Sequence, residues 1–350
     1  MKILVVDDSL LYRKMIRDAV SGFGFVSAVE TADSGREALA KAKSWRPDVI
    51  TLDVDMPDMS GIRVLRELHA AGNKASVVVV SALAEAGSGV AVLATEFGAV
   101  DVVAKPRTGN AEAAYAELAR QLGFVLSALA VKNTVAAKPH KAAALAGRTV
   151  LAAPTERPDI VAVAASTGGP AALARLVARL PEDFRAPLLI TLHLAAGHTR
   201  PFAEALGRRS SVRVMEGEND LPLSPGTVYL APGGRQMGVA RGADNRGVRL
   251  LVNDDPAEND CRPSADYLFR SVANVYGSRA LGIILTGMGK DGVRGLQSMK
   301  ARGAFVMAQN EESSVVFGMP AAAIEAGIVD FIASPEDLVS RFVSFVQRQV

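Results

Sequence analysis

The apolar run Ile160-Val161-Ala162-Val163-Ala164-Ala165 leads straight into Ser166-Thr167-Gly168-Gly169-Pro170, and few folds accommodate that succession. A short, unbroken apolar stretch predicts a strand buried on both faces. Two glycines give the backbone room to turn, and Pro170 suits the first position of a helix, expected over 171–180. Ser166 then stands at a strand-to-helix bend, its hydroxyl beside the free N–H groups of a helix start. That geometry serves a nucleophile with an oxyanion site. It equally serves a plain helix cap or a phosphate cradle.

The same grammar runs through the first half. A chain of 350 residues, 49% hydrophobic and 22% charged, is long enough for two folded domains. Apolar runs at 3–6, 49–52, 77–80 and 100–103 lead into Asp7-Asp8, Asp53, Ser81 and Lys105. Helical spacing begins at Leu11 with Met15 and Ile16, and recurs over 34–44, 62–71, 87–97 and 112–129. Alternation of this kind predicts a doubly wound α/β sheet whose strand C-termini share one ligand-binding edge. Asp7, Asp8 and Asp53 would repel one another there unless a hard cation lay among them, and Mg²⁺ suits such a set. Asp53 can then accept a phosphoryl group, with Ser81 and Lys105 holding its oxygens.

The set Asp7-Asp8, Asp53-x-x-Met56-Pro57, Ser81-Ala82 and Lys105-Pro106 resembles the receiver domain of two-component response regulators, over residues 1–125. The resemblance implies a flavodoxin-like fold, phosphorylation at Asp53 by a histidine kinase, and Mg²⁺ held by Asp7, Asp8, Asp53 and the backbone carbonyl of Asp55. Val102 stands where that family often carries an aromatic residue.

Residues 126–157 are alanine-rich with scattered cations and prolines, and are expected to form a linker, with His140 exposed in it. Strands expected at 160–164, 188–192, 227–230, 248–252, 282–285 and 304–308 alternate with helices at 171–180, 201–206, 264–275, 293–301 and 321–326. A second doubly wound, mainly parallel α/β domain over 158–350 follows, with a hairpin around 221–238. Three of its strand ends carry Ser166, His193 and the loop Thr286-Gly287-Met288-Gly289-Lys290-Asp291-Gly292.

A serine nucleophile needs a base and a carboxylate to fix that base's tautomer. Only His193 and His198 lie in this half, and His193 directly follows a strand. As metal ligands the two histidines lack a third partner at suitable spacing. Asp291 precedes a helix, so capping is its other reading, and Asp254, Asp255, Asp260 and Asp266 compete for its role. Cys261 has no histidine near it in sequence and reads as an idle thiol rather than a nucleophile.

Five separated stretches decide among these: Ala165-Ser166-Thr167-Gly168-Gly169, His193 with Ala196-Gly197, Tyr229-Leu230-Ala231-Pro232-Gly233, Thr286 to Leu296, and Ala308-Gln309 through Gly318-Met319-Pro320. In that order they resemble the catalytic domain of the CheB family, the chemotaxis protein-glutamate methylesterases. The resemblance implies that Ser166 attacks a methylated receptor glutamate, with His193 as base and Asp291 orienting it. Backbone amides of Thr167 and Met288 would hold the oxyanion, methanol would leave, and no cofactor would be needed. Deamidation of receptor glutamines by the same route is also implied. Together with the domain order, the resemblance predicts that the unphosphorylated receiver blocks Ser166 and that phosphorylation releases it. Ala164, Ala195, His198 and Gln236 depart from the usual family pattern.

The formal charge of +2 comes from well-mixed signs, which argues against nucleic acid as a partner. A single cysteine excludes an internal disulfide, and no apolar run is long enough to insert in a membrane. Acidic Asp7 and Asp8 come too early for a signal peptide. A cytoplasmic enzyme recruited to receptor arrays, with methylated chemoreceptors as substrate, is the expectation. Its rivals are a non-catalytic output module binding a partner or nucleotide, and a general carboxylesterase.

Overall fold

The computed structural model describes residues 1–82, 94, 97–106, 110–135, 153–194, 196–242 and 247–348. They belong to two compact units, Met1–Ala136 and Ala137–Val350. In the first unit the apolar runs are strands: β1 (Lys2–Val6), β3 (Val49–Leu52), β4 (Ser76–Ser81) and β5 (Ala99–Ala104), joined by β2 (Ala28–Ala32). Every pair is parallel, in the order β2-β1-β3-β4-β5, which is the flavodoxin-like order. Helices α1 (Leu10–Ser21), α2 (Gly35–Trp45), α3 (Gly61–Ala70) and α4 (Ala111–Val135) accompany them. Side-chain oxygens of Ser9 and Ser60 cap α1 and α3. On one face of the sheet Leu4, Val6, Ile50 and Leu52 pack with Val64, Leu65 and Leu68 of α3.

Most of the helix expected at 87–97 lies outside the described residues, as do 136–152 of the expected linker, including His140. Helix α4 runs on to Val135 instead of ending at 129.

The second unit carries a seven-stranded sheet, parallel throughout, in the order β14-β13-β12-β6-β7-β9-β8. Its strands are β6 (Ile160–Ala165), β7 (Leu188–Leu192), β8 (Arg213–Glu216), β9 (Thr227–Leu230), β12 (Ala280–Ile284), β13 (Phe305–Gln309) and β14 (Phe331–Ala333). The intervening helices are α5 (Gly169–Val177), α6 (Thr199–Gly207), α7 (Ala265–Tyr276), α8 (Val293–Ala301), α9 (Gly318–Glu325) and α10 (Pro335–Val346). The chain leaves β6 toward β7 on one side and later returns to β12 on the other, so β6 borders the topological switch point where ligands of such sheets bind.

The hairpin falls later than expected. It pairs β10 (Gln236–Arg241) with β11 (Val248–Asn253), antiparallel, and so takes 248–252 out of the main sheet. Along β11 burial alternates, with Leu250 and Val252 in the core and their neighbours half-exposed, the signature of a sheet wet on one face. Sequence reading missed β2, β8 and β14, and all are edge strands of only partial burial. Partly exposed β2 and β8 carry polar residues within the strand, and β14 spans only three residues.

Helices α7 and α8 approach closely because Gly295 has no side chain. A Cβ built there would lie 2.6 Å from Phe269 Cβ and 2.8 Å from the Asp266 carbonyl. Gly295→Ala should therefore cost this unit about 2 kcal/mol through overpacking. Denaturant unfolding reads this as a lower midpoint, and an unchanged midpoint contradicts the packing argument.

Candidate functional site

In each unit the chemistry-bearing residues extend the sheet ladder just past the strand ends. In the first, Asp53 N–H donates to Val6 O at 2.9 Å, Asp7 N–H to Ala32 O at 3.2 Å and Lys105 N–H to Ser81 O at 3.1 Å. The ladder thus brings Asp7, Asp53, Ser81 and Lys105, all buried, to one edge. Lys105 Nζ lies 2.8 Å from Asp7 Oδ2 and 2.7 Å from Asp53 Oδ2. Burial raises both carboxyls, against the ammonium's pull; Asp7 reaches about 6. For Lys105, burial pulls down, yet hydrogen bonds to Asp53 and Asp7 outweigh it and hold the ammonium above its usual range.

Asp8 is exposed at the mouth, and its carboxylate lies with those of Asp7 and Asp53 in one group compact enough to hold a metal ion. Asp7 Oδ2 is buried and meets only the Lys105 ammonium among the described residues. Three carboxylates gathered this closely, with a single ammonium between two of them, fit a hard divalent cation. Asp55, on the following loop, donates its N–H to Asp53 Oδ1 at 3.4 Å. Gly61 is forced by this loop, because a Cβ there would sit 2.0 Å from Asp53 O.

Tyr12 was not singled out from the sequence. Its ring lies 4.7 Å from Lys105 Nζ and its hydroxyl donates to Pro106 O at 3.1 Å. Val102, where an aromatic is usual, packs half-buried against the apolar core instead.

In the second unit the central strands β12, β6 and β7 deliver the loop 286–291, Ser166 and His193 side by side. Ser166 N–H donates to Thr286 O at 3.0 Å and His193 N–H to Ala165 O at 3.2 Å. After Ser166 the backbone turns through Gly168, whose φ of 79° starts α5. Ala164, where the family commonly has glycine, fits fully buried between Ile284 and Thr191 on the neighbouring strands. Gly287 passes so close that a Cβ there would lie 2.8 Å from Ser166 Cβ. The N–H groups of Thr167 and Met288 flank this contact and donate to no backbone carbonyl among the described residues.

His193 Nε2 is 2.9 Å from Asp291 Oδ2, which leaves Nδ1 on the opposite side of the ring. Nδ1 faces Cys261 Sγ at 3.9 Å. The thiol that reads as idle in sequence thus touches the imidazole, 68 residues away along the chain. No hydrogen bond joins Ser166 Oγ to the ring among the described residues, and free enzymes commonly close that bond only around substrate. His198 stands apart as the residue preceding α6.

The capping reading of Asp291 takes an unexpected form. The cap of α8 is Gly292, while Asp291 reaches across to the start of α7, accepting from Ala265 N at 2.7 Å and Asp266 N at 3.2 Å. Asp266 returns the favour, accepting from Gly295 N of α8 at 2.7 Å. Burial alone would raise Asp291, but His193, Ala265 N–H and Ser264 outweigh it and keep the carboxyl below its usual range. Asp266 has weaker compensation, and burial leaves it raised. Asp254, Asp255 and Asp260 are exposed and do not meet His193. His193, Asp291 and Cys261 are close enough for a metal ion, yet Asp291 and Cys261 occupy opposite ring nitrogens.

The fold is that of an α/β enzyme unit following a flavodoxin-like receiver unit. The family model for the CheB methylesterase matches residues 161–342, and that for the response regulator receiver domain matches residues 3–114. The chain belongs to the CheB methylesterase family. It is 42% identical over 331 residues to the protein-glutamate methylesterase/protein-glutamine glutaminase of Photorhabdus laumondii, covering 94% of this chain and 92% of that one. The proteins of the same description from Desulfotalea psychrophila and Bacillus subtilis are each 36% identical, over 99% of both chains. The crystal structure of the Thermotoga maritima CheB methylesterase catalytic domain superposes with a TM-score of 0.52 at 34% identity, covering 54% of this chain and 99% of that one.

Burial pulls the His193 pKa down, but hydrogen bonds to Asp291 and Cys261 more than offset this and raise it from 6.5 to about 9. The neutral ring, the form that accepts a proton, therefore fills in only as pH climbs toward that value. Ester hydrolysis should rise along an acid limb lying between pH 6.5 and about 9, and Cys261→Ala should move that limb to lower pH. The pH profile of kcat/KM measures both; a plateau reached by neutrality contradicts the assignment.

Proposed function

We propose that this chain is a phosphorylation-activated hydrolase of glutamate methyl esters on chemoreceptors, releasing methanol, and that it deamidates receptor glutamines by the same route. The observation that carries the reading is the His193 Nε2–Asp291 Oδ2 bond of 2.9 Å beside the Ser166 bend. Family membership supplies the substrate class.

Ser166 Oγ attacks the ester carbonyl while His193 Nδ1 takes its proton. Thr167 and Met288 N–H groups stabilise the oxyanion, and His193 returns the proton to the departing methoxide, giving methanol. Water, deprotonated by the same nitrogen, cleaves the acyl-enzyme, restoring the glutamate carboxylate and the serine. Asp291 keeps the imidazole oriented and compensates its charge throughout. For glutamine the leaving group is ammonia.

In the receiver, Asp53 accepts the phosphoryl group from a chemotaxis histidine kinase, and Ser81 and Lys105 contact its oxygens. Asp7, Asp8, Asp53 and the Asp55 carbonyl would hold Mg²⁺, which neutralises charge building on those oxygens during transfer. Lys105 is already shared between Asp7 and Asp53, so a new anion on Asp53 redistributes its contacts. No helix among the described residues is long and apolar enough to cross a membrane. On the strength of family membership we place the enzyme in the cytoplasm, at receptor arrays.

Methanol release from methylated receptors, with and without a phosphodonor and Mg²⁺, tests the whole reading. Ser166→Ala should lower turnover by more than about 10,000-fold, and Asp53→Asn should leave a basal rate that no phosphodonor raises. Retained turnover in the first variant sinks the nucleophile, and a phosphodonor response in the second sinks the switch. Hydrolysis of aryl esters with none of receptor esters would favour the general carboxylesterase.

A further inference from the structure

Ser264 occupies the cap position of α7 but does not cap it. A serine there ordinarily accepts from an N–H of the first helical turn. Here the hydroxyl points away and donates to Asp291 Oδ1 at 2.8 Å, while Asp291 supplies the capping oxygens. The orientation is fixed from behind. Ser264 N–H donates to Gln236 Oε1 at 2.8 Å, and Gln236 Nε2 donates to Pro256 O at 2.9 Å. Ser264 and Gln236 are both fully buried.

Asn259 adds a second hold. Its Nδ2 donates to Asp291 Oδ1 and to Asp266 Oδ2, each at 2.9 Å. It is presented by an exposed turn in which Asn259 and Asp260 have φ of 51° and 60°, a left-handed backbone that asparagine and aspartate tolerate better than most residues. The two oxygens of Asp291 are thereby given separate tasks. Oδ1 accepts from Ser264, Asn259 and Asp266 N, while Oδ2 accepts from Ala265 N and His193. A carboxylate held at Oδ1 cannot swing, and the donors around it disfavour its protonation.

We propose that Ser264 and Asn259 are positioning residues for ester hydrolysis: they clamp Asp291 Oδ1 so that Oδ2 fixes the tautomer and direction of His193. The proposal deepens the function above and rests on the reading of Asp291 as the acid that orients His193. Gln236, where the family often has histidine, belongs to the same support as the residue that aims Ser264.

The test compares full-length Ser264→Ala, Ser264→Thr, Asn259→Gly and the Ser264→Ala/Asn259→Gly double variant by methanol release from methylated receptors with phosphodonor. Glycine at 259 removes the amide while suiting the positive φ. Each single loss should lower kcat about tenfold and the pair about a hundredfold, with KM within about twofold, because misaligned groups slow the chemical step and leave binding alone. Ser264→Thr, which keeps the hydroxyl, should restore kcat. In proton NMR the low-field His193 Nε2–H signal, present in the parent and Ser264→Thr, should shift or broaden in Ser264→Ala, a change that loss of general stability would not cause. Folded single variants with parental kcat and an unmoved signal overturn the proposal, as does a loss that Ser264→Thr fails to restore. Asp291→Asn, run alongside, separates the two failures. If it is crippled while the clamp variants are not, only the clamp is wrong; if it turns over normally, the triad reading falls and the clamp with it.

Discussion

The exchange of caps between α7 and α8 is the constraint on which the catalytic unit depends. Asp291, just ahead of α8, satisfies N–H groups at the start of α7, and Asp266 of α7 satisfies Gly295 N–H in α8. Each buried carboxylate would be costly alone, and each helix start leaves donors without partners. Crossing them meets both costs at once. It also demands that the helices nearly touch, which Gly295 permits. The helix whose N-terminus holds Asp291 is therefore part of the site as much as the acid is: it favours the ionised carboxylate that His193 needs opposite it.

Parallel sheets do the rest. All strands of a parallel sheet end on one edge, so residues scattered along the chain meet without any special loop. In the receiver unit this gathers Asp7, Asp53, Ser81 and Lys105; in the catalytic unit it gathers Ser166, His193 and the glycine loop before Asp291. The ladder bonds that continue one residue past the strand ends fix the alignment of these groups to within a hydrogen bond. Gly61 and Gly287 matter for the same reason, since each lets a loop approach a functional residue more closely than a side chain allows.

Much of this was legible from the chain. Central strands such as β6 and β7 are buried on both faces and so must be continuous apolar runs, which sequence displays openly. The edge strands β2 and β8 mix polar residues with apolar ones, and β14 is only three residues long, so little marks them. Strand β11 alternates in burial, and its apolar residues at 248–252 read, without the fold, as a member of the main sheet. Among site residues, those directly following buried strands were visible. Cys261, Asn259, Ser264 and Tyr12 were not, because each acts through a partner brought near only by folding.

The sequence by itself determined two α/β units, the strand ends on which their chemistry sits, and the residue types placed there, since burial on both faces and sharp turns leave few alternatives in composition. Tertiary structure decided which nitrogen of His193 faces Asp291, that Cys261 lies against the other, and that Asp291 caps α7 and not the helix that follows it. Those are matters of a few ångströms between segments far apart in the chain. Local propensity contains no information about them; they follow from how closely two helices pack and which buried donors would otherwise go unmet.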